Sequence, residues 1–193
     1  MTMISMDDHI DAVTDDHRFS PLAYGGELWT FEHLEAFAFN TPVEASPGSS
    51  VSVAVVVFFS NHCFSREVED EEDVDEAHVV MDGSIRRVLD KTRYELSREY
   101  LPRLIQELQT RPIKVADPAR PNFVTFEIRP AEPGAPPSNY AVFFEVRRDS
   151  KRKRRLLLRV QSGYVLETLT RRLREAPKMS FRVILKNTYI RGR

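Results

Sequence analysis

Nine consecutive uncharged residues, 51–59 (VSVAVVVFF), set the frame of this sequence. A run of that length, rich in Val and Phe and closed by Ser60-Asn61, predicts a central β-strand buried on both faces. Upstream, residues 41–50 (TPVEASPGSS) carry two prolines, a glycine and a serine run, which predict a loop. A strand over residues 36–40 is expected to pair across that loop as a hairpin, while residues 32–37 also fit a short helix. Downstream, residues 78–81 and 84–89 flank Asp82-Gly83, a dipeptide suited to the positive φ angles of a two-residue hairpin turn. Ile85, Val88 and Leu89 fit one face of a helix as well.

Helical periodicity takes over at Asp90, which can cap a helix over residues 91–110. Tyr94, Ser97, Leu101, Leu104, Ile105 and Leu108 recur at spacings of three or four and form one stripe. Pro102 interrupts it, predicting either a kinked helix or two helices. From residue 122 the period returns to two. Val124, Phe126 and Ile128 alternate with Thr125, Glu127 and Arg129, a four-proline loop occupies 130–138, and strands are expected at 140–146 and 156–162. Residues 165–176 read as a basic helix with Val165, Leu166, Leu169 and Leu173 inward, and residues 180–186 as a last strand with Phe181, Val183 and Leu185 on one face. The expected fold is α+β: one domain over residues 21–193, a mainly antiparallel sheet and two or three helices, preceded by an acidic flexible arm, 1–20.

Composition narrows the setting. With 193 residues, 41% of them hydrophobic, the chain can bury a core of its own. It has no apolar run of membrane-spanning length, and its acidic N-terminus does not resemble a signal peptide. One cysteine forbids an internal disulfide, so a cytoplasmic protein that does not enter the membrane is expected.

Charge changes the picture most. The net charge of −1 hides 21 Asp/Glu against 7 Lys/Arg in residues 1–100, and 8 against 21 in residues 101–193. Eight acids crowd residues 67–76, a self-repelling loop or a flap that mimics nucleic acid over the basic half. The β-rich half, 120–193, concentrates cations: Arg147, Arg148, Lys151, Arg152, Lys153, Arg154, Arg155 and Arg159 in one hairpin, Arg171 and Arg172 on the next helix, then Arg182, Lys186 and Arg191. Such a surface neutralises phosphates without reading sequence, and Tyr140, Tyr164 and Tyr189 are available to stack on unpaired bases.

Chemistry has fewer footholds. No phosphate-cradling glycine motif, G-x-S-x-G elbow or H-E-x-x-H zinc motif is present, and the paired ligand spacings of a metal site are missing, so no cofactor or metal is expected. His62 and Cys63 follow the central strand directly, with Arg66 close by. Adjacent residues on an extended chain face opposite ways, so His62 does not activate Cys63, and a lone cysteine is more often a buried small hydrophobe. His62 as general acid–base with Arg66 stabilising charge is the natural catalytic assignment. Three readings follow: a nucleic-acid-binding protein, RNA preferred; a small metal-independent endoribonuclease of toxin-like type using His62 and basic residues; or a charge-polarised assembly subunit that binds an acidic protein partner or itself.

Overall fold

The computed structural model describes residues 1–69, 72–117, 122–129 and 138–191. The chain opens with β1 (Thr2–Ile4) and two 3-10 turns, Asp7–Ala12 and Asp15–His17. These residues are not the free arm their composition suggests. β1 pairs antiparallel along the organising hairpin, Val13 is buried against Ala38, Val56, Phe58 and Leu157, and Asp11 is ion-paired with Arg155. Next, β2 (Leu22–Tyr24) and β3 (Glu27–Trp29) form a small hairpin around Gly25 and Gly26, held at φ 58° and 82°, angles that glycine adopts without steric cost. The hairpin delivers Trp29 flat onto Tyr94, ring centroids 4.1 Å apart.

β4 (Phe37–Ser46) and β5 (Ser49–Phe59) make the expected hairpin, but both strands run on through the stretch expected to be a loop. Thr41 and Val43 are buried while Pro42 points out. Alternation therefore outweighs the proline and serine content, and only Pro47-Gly48 is left for the turn. Pro42 is tolerated because β1 stops at Asn40, so its missing N–H falls past that pairing. β5 is buried on both faces as expected. Val53, Val55, Val57 and Phe59 join the main core, while Val56 and Phe58 enter a second cluster beneath the N-terminal segment.

A separate three-stranded sheet follows, built from β6 (Ser65–Glu67), β7 (Val79–Asp82) and β8 (Ile85–Leu89). The hairpin wins over the helical alternative, with the turn one residue later than the Asp-Gly signal implies: Asp82 pairs with Ile85, leaving Gly83 and Ser84 at the bend. α1 (Lys91–Gln106) starts where expected, the Asp90 side chain accepting from the Arg93 N–H at 2.9 Å. It is one helix. Pro102 inside it denies Arg98 its usual donor, and the buried Tyr94, Leu101, Leu104 and Ile105 hold both halves against the core.

β9 (Ile113–Asp117), β10 (Asn122–Arg129), β11 (Ser138–Arg148) and β12 (Arg155–Leu166) complete the sheet with the late β13 (Lys178–Met179). The proline loop at 130–137 lies outside the described residues. Two expectations fail here. Residues 165–166 stay in β12, Val165 opposite Tyr140, so the basic helix shrinks to α2 (Arg171–Glu175), capped by Thr170. The expected last strand is instead α3 (Phe181–Arg191). Phe181, Ile184, Leu185 and Thr188 are buried at i, i+3, i+4 and i+7, and Val183 is 42% exposed. Phe181 and Leu185 satisfy a strand's alternation and a helix's fourth-residue repeat alike, so three apolar positions cannot separate the two.

The large sheet runs β1-β4-β5-β12-β11-β10-β9-β13, and among the described residues only β5–β12 pairs parallel. The protein is α+β with a mainly antiparallel sheet. α1 and α3 bury Leu101, Leu104, Ile105, Phe181, Ile184 and Leu185 against one sheet face, and no helix among the described residues is long and apolar enough to cross a membrane.

Candidate nucleic-acid interface

The basic residues gather at the end of the sheet where the β4–β5 and β11–β12 turns lie. In the β11–β12 turn, Asp149 accepts from the Lys151 N–H at 2.8 Å and pairs with the Arg155 guanidinium. Arg155 also holds Asp11 through two bonds of 2.7 and 2.8 Å, and that hydrogen bonding brings the Asp11 carboxyl down to about 2. Arg155 is 1% exposed, so it braces the turn and does not face a phosphate. The residues around it are at the surface: Arg147, Arg148, Lys151, Arg152, Lys153 and Arg154 are exposed, and of these, among the described residues, Arg152 is tied back to Asp11 at 3.2 Å.

α3 brings a second set to the same end. The Arg148 guanidinium lies 5.6 Å over the Tyr189 ring. Lys186 reaches Glu44 beside the β4–β5 turn at 2.7 Å, and Arg182 and Arg191 are exposed. α2 lies farther along the sheet at its β9 edge, where Arg172 bonds Asp117 at 3.3 Å and the register puts Asp117 level with Asn122, Glu145 and Arg159. Arg171 pairs with Glu175 on α2 itself. Arg159 stands apart, level with Phe58 further along the sheet. Of the tyrosines, Tyr140 is fully buried and cannot stack on a base, whereas Tyr164 and Tyr189 are half-buried.

His62, Cys63 and Arg66 sit at the opposite end. Arg155 is level with Ala54 and the histidine follows Phe59, so about 17 Å of β5 separates them at 3.3 Å per residue. Cys63 is fully buried, which pushes its thiol up to about 12 and removes it as a nucleophile. His62 rides on the 3-10 turn Asn61–Cys63, capped by Ser60, and its Nε2 lies 2.7 Å from Asp82 Oδ2. Burial lowers the His62 pKa although the Asp82 bond pulls the other way. Arg66 is turned to Glu72, which takes both of its terminal nitrogens. The acidic run is thus at the His62 end, tied by Arg66–Glu72 and Arg86–Glu76, and does not cover the basic end; residues 70–71 of it lie outside the described set. Among the described residues no three His, Cys, Asp or Glu side chains converge as metal ligands.

The model of the YjaZ family matches residues 21–189. The chain belongs to the YjaZ family. No curated protein and no solved structure matches it.

Two features of this YjaZ chain escaped the sequence. Asp82, partner of His62, was visible only as half of a turn dipeptide. Arg93, which donates to the Ser65 carbonyl at 2.9 Å and lies 5.2 Å over Tyr164, sits on a helix whose stripe signals only packing. Neither had a local motif to expose it.

The YjaZ chain also carries an acid-sensitive histidine on the His62 side, packed with Phe31 and Tyr94. His33 Nε2 bonds Ser97 Oγ at 2.8 Å, and burial, helped by the nearby Arg98, lowers its pKa from 6.5 to about 4. A depressed folded-state pKa means that the unfolded chain takes up this proton first. The contribution is whole above about pH 6.5 and is lost as the pH falls toward 4. The melting temperature is expected to drop between about pH 7 and pH 5, and His33→Gln to flatten that drop; an identical pH profile for both proteins would contradict the assignment.

Proposed function

We propose that this chain binds nucleic acid through the basic end of its sheet, holding phosphates with the β11–β12 turn and α3. The observation that carries the reading is the Arg148–Tyr189 contact, which joins two basic stretches some forty residues apart into one surface. Support comes also from Arg147, Arg148, Lys151, Lys153 and Arg154, which are exposed and have no carboxylate within ion-pair distance among the described residues. The acidic run lies at the other end, so the charge asymmetry of the sequence becomes a polarity in space. A cytoplasmic setting goes with this reading and rests on the cysteine usage of the sequence.

The test is a titration of the nuclease-treated protein with a labelled strand of about 20 nucleotides, between about 50 and 200 mM salt. Log affinity should fall linearly with log salt, by about 0.7–0.9 per phosphate engaged. Absence of binding at the lowest salt would overturn the reading.

One observation favours a second reading, ribonuclease action: the His62–Asp82 pair at 2.7 Å, a histidine oriented by a carboxylate. Arg66, occupied by Glu72, does not serve it. If the purified chain cleaves RNA, His62→Ala should lower the rate by about 100-fold or more with binding retained; cleavage that survives the substitution at full rate would remove this site.

A further inference from the structure

The large sheet has an inner face under α1 and α3, and an outer face that the N-terminal segment covers only at β4, β5 and Leu157. Farther across, over β12, β11 and β10, the outer positions hold aromatic rings. A register shift at Phe143/Phe144 leaves Gln161 as an extra residue in β12, and such a bulge turns two consecutive side chains to one side. Beyond it Ser162 stands opposite Phe143 and Tyr164 opposite Ala141, both on the outer face, while Gly163 and Val165 point inward. Phe143 and Tyr164 stack at 5.4 Å with planes 15° apart. Phe126 on β10, also opposite Ala141, extends the row. All three rings are half-buried.

Charge decides what this face accepts. Arg93 lies over Tyr164 from the rim, and Arg159 and Arg147 occupy outer positions of β12 and β11. Glu145 is the one carboxylate at the described outer positions of these three strands, and it accepts from Gln161 at 3.3 Å. A second copy docked face to face would bring three arginines against three. A polyanion with flat, apolar bases is complementary to both features, since any base offers a π-face to an exposed ring. Arg147 also belongs to the basic end, so the row of rings continues that surface.

We propose that this face is a stacking platform for single-stranded nucleic acid, with bases on Tyr164, Phe143 and Phe126 and phosphates on the flanking arginines. The proposal rests on phosphate binding by the basic end and adds the substrate class: unpaired strands over duplex. Duplex bases are stacked on each other and cannot reach these rings, so duplex binding draws on the basic end alone.

The experiment titrates a labelled oligothymidine and a duplex of equal length into wild type, Tyr164→Leu and Phe143→Leu, with melting temperatures measured alongside. Leucine keeps apolar bulk and removes the ring; Tyr164→Phe keeps the ring and is expected to bind as wild type. Single-strand affinity should fall about 5- to 150-fold in each leucine variant, with duplex affinity unchanged. If one leucine variant fails to fold, Phe126→Leu takes its place with the same expectation. Equal loss for both nucleic acids, or no loss in a folded variant, overturns the platform and leaves the basic end standing. A wild type that binds neither overturns both. A wild-type dimer in sedimentation that Tyr164→Leu dissociates would make the face a self-interface and overturn the platform.

Discussion

Arg155→Met should be strongly destabilising, at about 3–5 kcal/mol. The side chains of Arg155 and Asp149 are 1% and 4% exposed, and the pair closes the β11–β12 turn while fastening the N-terminal segment through Asp11. Removing the cation strands the Asp149 carboxylate where water cannot reach it, which costs more than the pair itself contributes. Against a total stability of about 5–15 kcal/mol the loss approaches unfolding. Urea titration should therefore give a much lower midpoint for Arg155→Met, and adding Asp149→Asn should recover a large part because no charge remains buried. A double variant as unstable as the single would contradict this account of the turn.

The second large effect concerns binding. Lys151, Lys153 and Arg154 are exposed at the turn and engage no carboxylate among the described residues, whereas Arg152 is held by Asp11. Replacing these three by Ser while keeping Arg152 spares the turn's internal ion pairs. If each contacts one phosphate, the log–log salt slope should fall by about 2–3, and affinity at about 0.1 M salt by roughly two orders of magnitude. Arg66→Ser, at the other end and already occupied by Glu72, should leave the slope unchanged. A turn variant with the wild-type slope would move phosphate binding elsewhere.

How much of this was legible depends on whether a signal was local. The central strand, the Asp90 cap and the β11–β12 hairpin were readable because each is written in a contiguous pattern: an uncharged run, a capping residue before a stripe, two apolar segments around a charged turn. α3 was misread because Phe181, Val183 and Leu185 fit both periods, and burial of Ile184 and Thr188 against the sheet decided between them. The N-terminal segment was misread because composition measures solvation of a free chain; the contacts of Val13 and Asp11 are distant in sequence, from Ala38, Val56 and Phe58 to Leu157 and Arg155. The candidate site shows the same division. A basic C-terminal half was evident, yet the sequence treated all its cations alike. Only the fold separates buried Arg155 from exposed Arg154 beside it, or sets His62 at the far end from the turn it was expected to work with. The outer aromatic face depended on one bulged residue, Gln161, which fixes which side of the sheet Tyr164 occupies.

Mapping contacts by photo-crosslinking a 4-thiothymidine oligonucleotide to the wild-type chain, with crosslinked peptides identified by mass spectrometry, tests the central claim most directly. Crosslinks should fall in residues 147–154 and 182–191, with further ones at Phe143 or Tyr164, and none should fall in residues 61–67 or 78–89. Crosslinks concentrated around His62 and Asp82, with the β11–β12 turn untouched, would contradict it.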